Sequence, residues 1–212
     1  MSDSSFNPGP AQRLCVDIKG PPVVKLAQDI ISIQFSENRA RCTLLEVSVN
    51  NWDGQIYQYS EGNSLHIGAS ISLYSGDIIL AEGTISKLAP SFPKDSPSTL
   101  MFTVDAKHLP QNTRRRVRPA ELVLDYGGLL IEFHPVVRKT ANSSRHRVDA
   151  IGVAIGLPDL IAGALVKIEG LGTAFSGLYL VKETTHTIDD SGYTTRFACL
   201  RESRELRSMA TR

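Results

Sequence analysis

Apolar residues in this chain fall in short blocks, and no long helical stripe runs through it. Residues 12–19 (QRLCVDIK) alternate, and Gly20-Pro21-Pro22 stops them. Residues 29–35 (DIISIQF) and 42–50 (CTLLEVSVN) flank the polar turn Ser36-Glu37-Asn38-Arg39, which predicts a hairpin. Residues 51–63 are polar, with Trp52, Tyr57 and Tyr59 spaced through them, and read as a long loop. Strands are predicted at 68–75 (GASISLYS) and 78–88, joined at Gly76-Asp77. Residues 89–97 (APSFPKDSP) form a Pro/Ser-rich connection to a strand at 99–106 (TLMFTVDA).

The polar, basic stretch 109–119 divides the chain. Beyond it, strands are predicted at 121–125, 129–133 and 147–155, with a loop at 140–146. Residues 156–163 (GLPDLIAG) lead into the strongest β-unit, 163–201. That unit reads as strand 164–168, a connection through Gly170-Leu171-Gly172 and Ser176-Gly177, and strand 178–188. The turn Asp189-Asp190-Ser191-Gly192 then leads to a returning strand at 193–201. Gly and Asp tolerate the positive φ that tight hairpin turns require. Short strands punctuated this often predict an all-β, mainly antiparallel fold of barrels or sandwiches.

The last unit has an earlier echo. The run Gly68-Ala69-Ser70-Ile71-Ser72-Leu73 precedes Gly163-Ala164-Leu165-Val166-Lys167-Ile168 by 95 residues, and Gly83 precedes Gly177 by 94. Asp95-Ser96, Thr99 and Phe102 precede Asp190-Ser191, Thr194 and Phe197 by 95. The constant spacing predicts two similar β-barrels in one chain. They are placed at 12–108 and 120–203, with a disordered leader at 1–11, a linker at 109–119 and a charged tail at 204–212.

Composition narrows the function classes. The 212 residues are 42% hydrophobic and 21% charged, ordinary values for a globular protein of one large or two small domains. A net charge of +1 offers no global attraction to nucleic acid or anionic membrane. No apolar run approaches the roughly 20 residues of a membrane-spanning helix, and the first residues lack a signal-peptide pattern. Cys15, Cys42 and Cys199 are odd in number and form no CxxC pair, so a disulfide framework or zinc site is not expected.

Glu183-Thr184-Thr185-His186 has an E-x-x-H spacing, which on a helix would place both side chains on one face for a metal. In a strand, positions three apart face opposite ways, so His186 is expected to be structural. Gly170-Leu171-Gly172 belongs to no phosphate-loop motif and no helical pattern follows it, so turn geometry is expected. No GxSxG surrounds Ser176 and no carboxylate pair stands out, so no catalytic residue, metal or cofactor is expected. Arg114, Arg115 and Arg116, with Arg118, form a basic cluster without interleaved aromatics. Arginines attract phosphate, but such a cluster reads better as a solvated linker or a subunit contact, and direct nucleic-acid binding is not expected. Trp52, Tyr57 and Tyr59 suit either a subunit contact or local packing.

Gly163, Val166, Ile168, Gly170, Gly172, Phe175, Ser176, Gly177, Tyr179, Val181, His186, Gly192, Tyr193, Thr195 and Phe197 carry a recognisable order. It resembles that of the late control gene D and VgrG-like baseplate hub proteins of contractile phage tails and injection systems. Residues 30–35, the aromatic loop after Asn50, residues 68–73 and Gly83-Thr84-Ile85-Ser86 look more loosely like that family's first barrel; the resemblance spans 12–202. It implies two tube-protein-like barrels per chain and a homotrimer whose six barrels form a ring between spike and tail tube. The implied partners are further copies of the chain, tail-tube protein, spike protein and baseplate components. The implied location is the bacterial cytoplasm during assembly, then a virion baseplate or injection particle. The family's helical insert is replaced here by 109–119, and its neck and needle have no counterpart. The chain is then expected to be either a minimal hub that receives a separate spike or a shortened form, and membrane puncture is not assigned to it. The competing expectations are a hexameric tail-tube or tube-initiator protein, and a β-barrel module binding glycan or nucleic acid.

Overall fold

The computed structural model describes residues 14–19, 26–38, 42–61, 65–75, 78–107, 122–139 and 146–203. The leader, the linker with its arginines, the tail and residues 140–145 lie outside them. Twelve strands join in one sheet. They are β1 (Leu14–Lys19), β2 (Ile30–Asn38), β3 (Cys42–Asn50), β4 (Ser70–Ser75), β5 (Ile78–Ser91) and β6 (Thr99–Lys107). The second six are β7 (Val123–Asp125), β8 (Leu130–Lys139), β9 (His146–Ile155), β10 (Leu165–Glu169), β11 (Gly177–Asp189) and β12 (Gly192–Ser203). Two four-residue helices, α1 (Leu26–Asp29) and α2 (Gly172–Phe175), interrupt them. All ladders between strands are antiparallel except β7·β10. Among the described residues no helix is long and apolar enough to cross a membrane.

The strand order repeats. The first six strands follow the path β1-β4-β5-β6-β3-β2, and the last six follow β7-β10-β11-β12-β9-β8. Numbered within its own half, each path is 1-4-5-6-3-2. The irregularities repeat as well. The β5·β6 ladder slips between Ile85 and Lys87, and β11·β12 slips between Val181 and Glu183, 96 residues later. The β2·β3 ladder slips between Ile30 and Ser32, and β8·β9 slips between Leu130 and Glu132, 100 residues later. Ile85 N–H donates to Ala69 O, and Gly68 N–H donates to Ile85 O. Val181 makes the matching pair with Ala164 and Gly163. Bulges unpair a residue and bend the strand, so matching bulges mean matching curvature.

Ladder register corrects one expected landmark. Ser70 lies opposite Thr84, and Leu165 lies opposite Leu180, so β4 maps onto β10 at 95 residues and β5 onto β11 at 96. Gly83 therefore corresponds to Tyr179, not to Gly177. Phe102 and Phe197 do correspond, both fully buried. The first strand differs between halves, since β1 runs antiparallel to β4 whereas β7 runs parallel to β10.

Each half wraps its own core. One draws on Leu26, Phe35, Leu45, Ile71, Leu73, Ile85 and Phe102, and the other on Leu124, Leu130, Val166, Ile168, Tyr179, Val181 and Phe197. Alternation explains the membership: along β9, Val148, Ala150, Gly152 and Ala154 are buried and the residues between them are not, so every second position faces inward. The predicted connection at 89–97 begins later than expected, because β5 continues through Pro90 to Ser91. There Pro90 pairs with Leu100 in the β5·β6 ladder.

Candidate assembly surface

The two halves meet at a strand seam. Strand β2 pairs antiparallel with β11, from Glu183 opposite Asn38 to Ile188 opposite Ile33. Side chains reinforce the rungs. The hydroxyls of Ser36 and Thr185 are 2.9 Å apart. The Phe35 ring stacks on His186 with centroids 5.5 Å apart. Glu37, only 1% exposed, accepts a hydrogen bond from the Ala162 N–H at 2.9 Å. Ile188 of β11 packs against the core of the first half.

His186 lies within this seam. Its Nδ1 is 3.0 Å from the Tyr193 hydroxyl and 3.1 Å from Thr195 Oγ1. Thr195 Oγ1 also accepts the Leu157 N–H at 3.1 Å. Burial pushes the Tyr193 phenol above its ordinary value, so the ring remains a neutral hydrogen-bonding group. Glu183 is exposed whereas His186 is buried, and the E-x-x-H pair does not converge. Among the described residues no group of three or more His, Cys, Asp or Glu side chains could hold a metal.

Of the other motif residues, Gly170, Gly172, Phe175 and Ser176 build the β10–β11 connection, while Gly163 precedes β10 and Gly192 begins β12. Gly163, Gly170, Gly172, Gly177 and Gly192 all have positive φ, between 70° and 145°. A side chain is strained in that region, which accounts for glycine at these corners. Leu171 N–H donates to Ser176 Oγ at 3.0 Å, and the Tyr179 hydroxyl donates to Phe175 O at 2.7 Å. Arg201 completes the clamp. Its guanidinium donates to the carbonyls of Ala174 and Ser176, and it sits 5.1 Å from the centre of the Tyr179 ring. The single helical turn α2, which the pattern did not predict, is the segment held. Opposite, Asp189 Oδ1 accepts the Ser191 N–H at 2.9 Å and its hydroxyl, which holds the Asp189 carboxyl below its ordinary value.

The aromatic loop splits. Trp52 is 40% exposed and packs 5.0 Å from Tyr57, which meets the edge of Phe92 at 4.9 Å. Tyr59 is only 3% exposed, and its hydroxyl donates to Asp29 at 2.7 Å, which is the local packing among the two expectations for this residue. Buried Asn51 orders the loop. Its Oδ1 accepts the N–H groups of Tyr59 and Ser60 at 3.1 Å, and its Nδ2 donates to Ser60 Oγ at 2.6 Å. Arg114, Arg115 and Arg116 lie outside the described residues. Sequence reasoning missed Phe92, hidden in a Pro/Ser-rich stretch, and the apolar edge of β8. On that strand Val136 is 50% exposed and Val137 45% exposed.

No protein-family model matches the chain, and no curated protein matches it. Solved structures share its fold. The 43 kDa tail protein of prophage MuSo2 from Shewanella oneidensis superposes with a TM-score of 0.60 at 10% identity, over 90% of this chain and 97% of that one. A tail protein from Neisseria meningitidis MC58 superposes at 0.59 and 7% identity, over 89% and 96%. The Escherichia coli c3393 protein, a component of the type VI secretion system, reaches 0.49 at 10% identity, over 90% and 77%.

Proposed function

We propose that the chain is a structural, non-enzymatic hub of a contractile tail or injection system. Three copies form a ring of six similar units that joins a spike to a tail tube. The observation that carries this reading is the repeat of one six-strand path, with its bulges, inside a single chain. A protein that presents the same unit twice can meet a six-fold tube with three copies, because closed symmetry fixes the number of equivalent surfaces. The fold shared with two tail proteins supports the same setting. A tube protein would need only one unit per chain to give six. The hub reading assigns the spike, tail-tube protein and baseplate components as partners. It places assembly in the bacterial cytoplasm, before incorporation into a virion baseplate or injection particle.

Native mass measurement tests the reading. Three copies of the 23.2 kDa chain are expected. Six copies would give twelve units and refute the ring of six, as would a monomer at high micromolar concentration.

A further inference from the structure

The internal seam has an unfilled counterpart. In the repeat, β2 corresponds to β8 at 100 residues and β11 corresponds to β5 at 96. Residues 33–38 of β2 pair with residues 183–188 of β11. The corresponding edges are residues 133–138 and 87–92. Among the described residues neither edge is paired: β8 ends the sheet path, and β4 covers β5 only as far as Thr84.

We infer that the 133–138 edge of β8 takes the 87–92 edge of a second copy of this chain, antiparallel and in the register of the β2·β11 ladder. The inference rests on the ring proposed above and specifies how its copies meet. That register sets Leu88 opposite Val137, Ala89 opposite Val136, Ser91 opposite His134 and Phe92 opposite Phe133. Three of the exposed large apolar side chains lie on these rungs, with Phe92 55%, Val136 50% and Val137 45% exposed. Phe92 corresponds to Ile188, which crosses the internal seam to pack on the neighbouring core. In the second copy's seam Phe92 would cover the other core, where Phe133 already packs half-buried. Polar Glu37 and Thr184 in the internal seam are replaced by Val137 and Leu88, so the seam between copies is the more apolar one. Pro90 meets Pro135 at one rung and neither can donate a ladder hydrogen bond. Prolines on open edges discourage indiscriminate strand addition, so side-chain fit decides which edge is admitted. A head-to-tail contact of this kind closes into a ring when its rotation permits.

Cysteine linking of the full chain tests the seam. Ser91→Cys with His134→Cys occupy one rung, whose Cα separation of about 4.5–5.5 Å suits a disulfide. Ser91→Cys with Arg138→Cys are offset by four residues, about 13 Å along the strand, and serve as the comparison. Each single variant gives the background from Cys15, Cys42 and Cys199. Oxidation is expected to join chains covalently in the first pair at least about tenfold faster than in the second. Val137→Asp should raise the concentration needed for assembly at least about tenfold, since it places an unpaired charge in the seam. Its melting as a separate chain should hold, because Val137 is already exposed there. Assemblies of unchanged mass that do not link at the 91–134 pair would overturn the seam and leave the ring standing. A chain that never assembles would overturn both.

Discussion

Gly152 and Phe197 offer a sharp test of the second core. They face each other in the β9·β12 ladder. A Cβ built at Gly152 would lie 2.5 Å from one ring carbon of Phe197 and 2.8 Å from another. Gly152 has no positive φ, so alanine at this position meets a steric cost and no backbone cost. The ring is 1% exposed and cannot swing into solvent. Overpacking of this size costs about 1–3 kcal/mol. With a urea m-value of roughly 2–3 kcal/mol/M, Gly152→Ala should lower the unfolding midpoint by roughly 0.3–1.5 M at unchanged slope. Phe197→Leu alone should also destabilise, by about 1–2 kcal/mol, through lost contacts. In the double variant the smaller side chain makes room for the methyl, so the two losses should not add. The coupling should recover at least about 0.5 kcal/mol. Urea titrations of the four proteins, followed by circular dichroism, give the cycle. Strict additivity, or an unchanged midpoint for Gly152→Ala, would refute the close packing of ring on glycine. The first half makes the contrast, because Val47 takes the corresponding place opposite Phe102 and is fully buried without conflict.

Other residues make further tests. Arg201→Met removes two charged hydrogen bonds to carbonyls and a cation–π contact, and should cost about 2–4 kcal/mol in thermal unfolding. Arg201→Lys should recover little of that loss, because an ammonium cannot fork to both carbonyls. Tyr59→Phe loses the donor to Asp29 and should cost about 1–2 kcal/mol; in an ultraviolet pH titration of the native protein, Tyr59 should fail to ionise near its ordinary value of 10.0. Burial pushes the Cys199 thiol up to about 12, with Asp149 adding to the shift. Its neutral form is therefore the one the fold favours. The associated stability is present below the ordinary value of 9.0 and is lost as pH rises from there towards about 12. At pH 8 an alkylating reagent should spare Cys199 in the native chain and label it in urea, as peptide mass mapping would show.

Much of this architecture was legible in the residues. Turn chemistry placed Asp189-Asp190-Ser191-Gly192 between two long strands, and β11 and β12 flank it. Alternation found the core faces, since a period of two survives wherever one face is buried. The repeat was visible at Gly68, Thr99 and Phe102 because turns and inward aromatics leave identities behind. Gly83 misled, because a glycine in a strand carries no register of its own. The bulges at Ser86 and Lys182 had no signal in residue type, although they fall at equivalent places 96 residues apart. Pro90 suggested a connection, yet an open edge requires no N–H and lets the strand continue. Tyr59 and Trp52 looked alike in the loop. Asp29, 30 residues away in sequence, takes the hydroxyl of buried Tyr59, whereas Trp52 stays half-exposed. The assembly surface was least legible, because the apolar edges of β5 and β8 acquire meaning only when the strand path shows them unpaired.

Rotational symmetry of the assembled particle tests the central claim most directly. Electron cryomicroscopy of the purified assembly, averaged without imposed symmetry, should show a ring of six near-equivalent lobes in which three chains each supply two. Twelve lobes, or a ring in which each chain supplies one, would contradict the proposed pairing of units within the chain.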